Sequence, residues 1–297
     1  MERFWNENFW CPPNVKWSDF KPENAQLQDL YYSLVTAIGL IGLRLILETA
    51  LFRPFGRYIL SDQPKKQIKQ STVNKIGEGL WRMSFYTFTS IYGWFFVLWD
   101  APYLRDTMHT LHGYPHHPVS HEEWWYYNIE LGFYISLVVT QIVDTKRKDF
   151  WQMFIHHIVT ILLLVFSWAC NFHRLGALVL AIHDVADVPL EGAKLAKYCQ
   201  KQRLADLVFA IFTVAWIYTR CYLLPTRVIY YTLYRALEVI QFFPAYYIFN
   251  GLLCILQLLH IVWTWVIMRI VFYALQNDGM RDLRSDSEES EEEPHKD

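Results

Sequence analysis

The sequence predicts an all-α polytopic membrane protein of about seven transmembrane helices, with helices two to seven forming a ring around a polar chamber. Three observations lead there. Seven largely apolar segments, at 31–52, 80–99, 124–143, 150–170, 175–190, 204–224 and about 246–275, approach the roughly 20 residues that a helix needs to cross ~30 Å of hydrocarbon. The chain is 18% aromatic, with 13 Trp and 19 Tyr in 297 residues, and those rings favour the membrane–water boundary. Lys and Arg resist translocation, and their counts alternate between successive connections: three in 1–30, six in 53–79, one in 100–123, three at 146–148, one at Arg174, four in 191–203 and two in 225–245. Seven crossings with that alternation put the N-terminus in the lumen and the C-terminus in the cytosol.

Residues 1–30 lack the apolar core of a signal peptide and read as a lumenal segment. In the first helix, 31–52, Arg44 and Glu48 stand four apart and pair, snorkelling near the cytosolic end. A cytosolic linker, 53–79, leads to one membrane domain over 80–275. The second, third and fifth segments are interrupted by polar residues. The third carries Glu130, Thr140, Gln141 and Asp144 on one side, and the seventh carries Asn250, Gln257, His260 and Thr264 on one side. Residues 276–297 form an acidic cytosolic tail; from 277 on it holds nine acidic and three basic side chains, a run that repels itself and stays solvated. Within it Ser285 and Ser290 each have Glu three residues on, and Ser287 is flanked by acid, the pattern of an acidophilic kinase.

The fourth segment raises the chemical question, because His156 and His157 sit a third of the way into an apolar run. Ionisable groups in hydrocarbon cost several kcal/mol unless they face protein or a wet cavity. At about 100° per residue, Gln152, His156, Thr160 and Ser167 fall within an arc of roughly 80°, with His157 beyond its edge. His183, Asp184, Asp187 and Glu191 of the fifth segment fall within about 100° of one another. Four helices thus each have a polar face, and turning those faces inward encloses a chamber. A carboxylate beside an imidazole fixes its tautomer and makes it a general base or a nucleophile. The competing explanation for a single intramembrane His, an interhelical hydrogen bond, fits His260 best.

Other features carry less. His109, His112, His116, His117 and His121 have metal-like spacings, but Gly113, Pro115 and Pro118 deny them a helical register, so they read as a solvated loop and no metal is expected. Cys11, Cys170 and Cys221 fall at or near the lumenal side, and spacing alone assigns no bridge. No basic stripe or fold signature supports nucleic-acid binding. Receptor topology would also have seven spans, but neither an acidic-Arg-Tyr motif after the third nor an Asn-Pro motif in the seventh is present.

Together, the stretch 126–160, "YYNIELGFYISLVVTQIVDTKRKDFWQMFIHHIVT", and 181–198, "AIHDVADVPLEGAKLAKY", resemble the longevity-assurance motif of ceramide synthases, the TLC-domain sphingoid-base N-acyltransferases. The resemblance runs nearly end to end. "WNENFWCPPNVKW" (5–17) resembles the family's lumenal N-terminus, "GLWRMSFYTFTSIYG" (79–93) its second span and "DLRSDSE" (282–288) its C-terminal motif. Many animal members have a homeobox-like domain between the first two spans. Here the 53–79 gap is too short for its three helices, so no DNA-binding role is implied.

The resemblance implies acyl transfer from acyl-CoA to the amine of a sphingoid base in the endoplasmic reticulum membrane, giving (dihydro)ceramide without a further cofactor. It implies contact with membrane lipid and a homo- or hetero-dimer with related synthases. On the expected topology Lys146, Arg147 and Lys148 lie on the cytosolic side, with His156 roughly 12 Å deeper along the helix, within reach of a pantetheine arm. Those cations and Glu191 are the expected substrate-binding residues. The expected catalytic residues are His156, His157, His183, Asp184 and Asp187. His156 attacks the thioester to form an acyl-imidazole, one aspartate orients it, and the other takes the ammonium proton or holds the sphingoid hydroxyls. General-base catalysis by His156 or His157 is the competing mechanism, and a lipid sensor or carrier with the same chamber is the competing function. Acyl-chain length should follow chamber depth and the connection 225–247, whose "FFPAYYIFN" ending resembles members that use very long chains.

Overall fold

A computed structural model describes residues 4–61, 69–144 and 149–276. Among them every regular element is helical. A short α1 (Glu7–Trp10) is capped by the Asn6 side chain, which accepts a hydrogen bond from the Asn8 amide. The long elements follow: α2 (Leu30–Leu47), α3 (Arg53–Ser61), α4 (Gln70–Tyr92), α5 (His121–Thr140), α6 (Phe150–Ala169), α7 (His173–Tyr198), α8 (Gln202–Trp216) and α9 (Ala245–Gln276).

Several boundaries differ from the sequence expectation, and prolines account for two of them. The first helix does not end at 52. A π-type turn, Glu48–Phe52, joins α2 to α3, so the expected linker begins as helix. Pro54 has no N–H to donate, and a widened turn just before it relaxes the hydrogen-bond ladder that proline would break. Likewise α8 continues past 224 through the π-helical Ile217–Ile229, which contains Pro225, and Tyr231–Arg235. A third π stretch, Gly93–Leu98, extends α4. The start of α5 obeys local rules: the Ser120 hydroxyl accepts from the Glu123 amide, and Glu122 and Glu123 occupy the first turn, where the positive end of the helix dipole favours acid.

The packing order closes a ring. α4 packs on α5, α5 on α6, α6 on α9, α9 on the continuation of α8, α8 on α7 and α7 back on α4. These six are the second to seventh expected spans. α2 stands outside the ring against α5, with Leu34, Val35, Ile38, Leu45 and Ile46 exposed on its far side. Four stretches, Leu27–Ser61, Phe150–Ala169, Gln202–Glu238 and Ala245–Gln276, are long and apolar enough to cross a membrane. The chain is an all-α membrane protein. The other three long helices, α4, α5 and α7, carry the ring's buried acids: Glu78, Glu123, Glu130, Asp184 and Glu191.

Arg44 pairs with Glu48 as expected, at 2.6 Å, but it does not snorkel: its side chain is 7% exposed. Its Nη2 lies 2.6 Å from Asp144, whose other oxygen accepts from Arg82 at 2.8 Å. Three elements are thereby tied at one end of the ring. At the opposite end the N-terminal segment folds over the helix ends. Trp10 is 1% exposed, packs on Phe166 with ring centroids 4.6 Å apart, and donates its indole N–H to the Phe4 carbonyl. All five cysteines are free thiols, and burial pushes that of Cys11 up to about 12.

Candidate active site

Two cavities meet inside the ring. The larger, of about 110 Å³, is almost wholly apolar, with Leu163, Leu164, Leu180, Phe172, Phe249 and Leu253 among its walls. The far end of the α8 continuation, the connection after it and the start of α9 also line it, through Tyr231, Ile240, Phe243 and Tyr246. Its wall at that end is backed by packed side chains, because Leu111, Phe172, Ile240 and Phe243 belong to one buried cluster with Trp10, Phe166 and Cys170. The smaller cavity, of about 90 Å³, is polar in part and is lined by Asp187, Arg220, His157 and His260. Among the described residues three line both: Tyr134, His156 and His183.

His156 comes from α6 and is placed by aromatic neighbours. Its ring centroid lies 5.5 Å from Trp263, 5.6 Å from His157, and 6.3 Å from both Tyr134 and His260. Its Nδ1 is buried without a hydrogen-bond partner. His157, on the adjacent face, is 5% exposed and meets Gln141, its Nδ1 lying 3.1 Å from Oε1. Gln141 donates its own Nε2 to the Phe150 carbonyl at 2.8 Å. That bond fixes which end of the amide faces His157, so His157 Nδ1 is the N–H donor.

His183 comes from α7, one turn after Val179. Its Nδ1 lies 2.6 Å from the Val179 carbonyl oxygen, an acceptor only, so Nδ1 carries the proton and Nε2 the lone pair. That Nε2 is buried and has no partner. Its ring lies 5.1 Å from His260, which is 1% exposed.

The structure places the aspartates apart from His156. Asp184 is fully buried, accepts from the Thr89 hydroxyl at 2.7 Å, and lines neither cavity. Asp187 accepts from Arg220 Nη2 at 3.0 Å and lines the polar cavity. Among the described residues neither carboxylate is hydrogen-bonded to His156, so the expected orienting contact is not made. Glu191 is buried and pairs with Lys194 at 2.6 Å. Gln152, expected on the inward arc, is exposed, while Thr160 donates to the His156 carbonyl. Lys146, Arg147, Lys148 and the tail serines Ser285, Ser287 and Ser290 lie outside the described residues. In the histidine-rich connection His112, His116 and His121 are exposed as expected, whereas His117 is buried. Among the described residues no group of three or more His, Cys, Asp and Glu is placed to hold a metal ion.

Arg220 is the residue that sequence reasoning passed over. It is 3% exposed, donates to the His183 carbonyl and to Asp187, and lies over the Trp216 ring at 4.4 Å. Its signal was in plain sight: a lone arginine inside the apolar run 204–224, where ionisable residues mark functional sites. Glu130, fully buried against Asp184 and Thr89, was seen only as part of a stripe.

The site therefore joins an apolar slot to a polar one through two imidazoles, each with a buried ring nitrogen left open. Comparison with known proteins agrees in extent. The family described as the TLC domain matches residues 75–269. The chain is 33% identical to human ceramide synthase 4, over 98% of this chain and 87% of that protein. It is 34% identical to human ceramide synthase 5, covering 97% and 87%, and 34% identical to ceramide synthase hyl-1 of Caenorhabditis elegans, covering 97% and 84%.

Proposed function

This chain belongs to the ceramide synthase family of TLC-domain proteins, and we propose from that membership that it is an acyl-CoA-dependent N-acyltransferase making (dihydro)ceramide from a sphingoid base. The observation that carries the reading is the position of His156, at the junction of an apolar slot and a polar cavity. A fatty acyl thioester has that same division, a hydrocarbon tail ending at a polar reacting carbon. With the tail in the apolar slot, its thioester meets the imidazole. Attack by His156 gives an acyl-imidazole and releases the coenzyme A thiolate, dividing one hard transfer into two easier steps.

His157, held by Gln141, supports the neighbouring ring. Asp187, paired with Arg220 in the polar cavity, is placed to hold the hydroxyls of the sphingoid head. Asp184 lies behind α7's cavity face and fixes the helix through Thr89. Lys146, Arg147 and Lys148 receive the coenzyme A phosphates, and Glu191 lies on the same side as Lys194. The enzyme sits in the endoplasmic reticulum membrane with a lumenal N-terminus and cytosolic C-terminus, exchanges its substrates with membrane lipid and forms homo- or hetero-dimers with related synthases. Ser285, Ser287 and Ser290 are sites for an acidophilic kinase.

The test is a membrane assay with sphinganine and saturated acyl-CoA donors from palmitoyl to hexacosanoyl, products read by mass spectrometry, with His156→Ala in parallel. N-acylated product from the parent and none from the variant is the expected result. No product with any donor, from a correctly folded chain that still binds lipid, would leave a sensor or carrier with the same chamber.

A further inference from the structure

The second half-reaction needs a base. The sphingoid amine is an ammonium near neutral pH and has no lone pair until it loses a proton. The two aspartates first expected to serve do not suit that step. Asp184 reaches neither cavity, and Asp187 is held by Arg220. His157 opens on the polar cavity alone and does not reach the apolar slot.

We propose that His183 is the catalytic base of the amine step, taking the ammonium proton at Nε2 while His156 carries the acyl group. Three independent observations converge on it. The Val179 carbonyl fixes the tautomer, so the lone pair sits on Nε2. That nitrogen has no protein partner. The ring lines both cavities, as His156 does, so an amine arriving from the polar side and an acyl carbon at the junction are both within its surroundings. The groups facing it are His156, His260, Arg220 and Asp187. Arg220 grips the His183 backbone carbonyl and its charge is met by Asp187, so the ring is positioned beside a neutralised pair. This inference rests on the acyl-imidazole reading for its order of steps.

The atoms balance as follows. After His156 has displaced the coenzyme A thiolate it is an acyl-imidazolium. One ammonium proton passes to His183 Nε2, and the freed lone pair attacks the acyl carbon. The bond from that carbon to the His156 nitrogen breaks, its electron pair returning to a neutral imidazole. The second nitrogen proton leaves the new amide and ends on the thiolate. His183 then gives its proton to solvent, so each turnover yields amide, free coenzyme A and one released proton.

The experiment uses the full chain in lipid nanodiscs and separates the half-reactions. Stoichiometric acyl-CoA is added first; released thiol and the intact mass of the protein report acylation. Sphinganine is then added, and decay of the acylated mass is followed. His183→Asn is the informative variant, because its amide N–H can still donate to the Val179 carbonyl while no ε nitrogen remains. It should acylate with a burst within about threefold of the parent, and its acyl-enzyme should decay about 10²-fold more slowly. Thermal unfolding near the parent's shows that the fold survives. Decay at the parent rate, loss of the burst itself, or accumulation of acyl-enzyme in Asp187→Asn instead would each overturn the proposal. If the parent shows no burst, the covalent reading fails separately; His183 is then judged by steady-state turnover. A fall of about 10²-fold with acyl-CoA binding unchanged supports it, and retained turnover overturns it.

Discussion

On the proposed mechanism His156→Ala removes the nucleophile and leaves the cavities in place, so its effect should fall on chemistry and not on folding. Turnover is expected to drop by roughly 10³-fold or more, with acyl-CoA binding kept, as measured by product formation alongside a binding assay. Arg220 behaves differently. It is a buried cation whose partner is Asp187, so Arg220→Leu leaves that acid without its partner and should cost about 3–5 kcal/mol of stability. The double variant Arg220→Leu/Asp187→Asn should recover much of that loss in denaturation midpoints; additive losses would mean that the two do not act as a pair. At this scale the sequence was partly legible. A pair of imidazoles in an apolar run, and a face of acids on the next helix, singled out α6 and α7 without any fold. Which nitrogen is free was not legible, because tautomers are set by a carbonyl one turn away and by an amide on another helix. Nor was the distance between Asp184 and His156, since two faces pointing to a common interior need not touch.

The crossing of α2 and α5 depends on one small residue. A Cβ at Gly132 would come within 2.9 Å of the Thr36 side chain and 3.0 Å of the Ser33 carbonyl, backbone that does not move aside. Gly132→Val should therefore cost about 1–3 kcal/mol, seen as a lower midpoint, while Gly39→Val, with open space around its added Cβ, should change it little. Equal effects at the two positions would disprove the close approach. Helix existence was legible from apolar runs of membrane-spanning length. Helix ends were not, because the continuations at 53–61 and 225–235 use π-type turns that admit proline, and proline is ordinarily read as a stop. The buried state of Arg44 was missed for another reason: its partner Asp144 lies 100 residues away and no local pattern announces it.

For the molecule as a whole, the ring order was beyond the sequence, since polar stripes say which faces turn inward and not which helices are neighbours. The N-terminal segment's closure over one end was equally hidden. That end is where pH should act. Burial, with Arg174 nearby, holds His117 down to about 4, against 6.5 when free. An unfolded chain takes up this proton as pH falls through about 6.5 and the folded one only near 4. The stability that the neutral ring contributes is thus complete above about 6.5 and lost progressively as pH falls to 4. Detergent-purified protein should melt at lower temperature at pH 5 than at pH 7, and His117→Gln, which can still donate to the His112 carbonyl, should flatten part of that slope. An unchanged slope would place the acid sensitivity elsewhere.

The stoppered slot has one more consequence, for how length is sensed. A tail that enters from water is driven in by every methylene it hides. On the proposed reaction the tail comes from lipid, which is as apolar as the slot, so hiding it gains almost nothing. Discrimination is left to dispersion and to collision with Phe172 and Phe243. A tail too short forfeits a few weak contacts at a time, whereas a tail too long strikes a wall backed by the Trp10 cluster. The selectivity curve should be lopsided, sloping gently toward short donors and breaking off sharply at the long limit. Phe243→Ala should move the break toward longer donors and leave the slope alone.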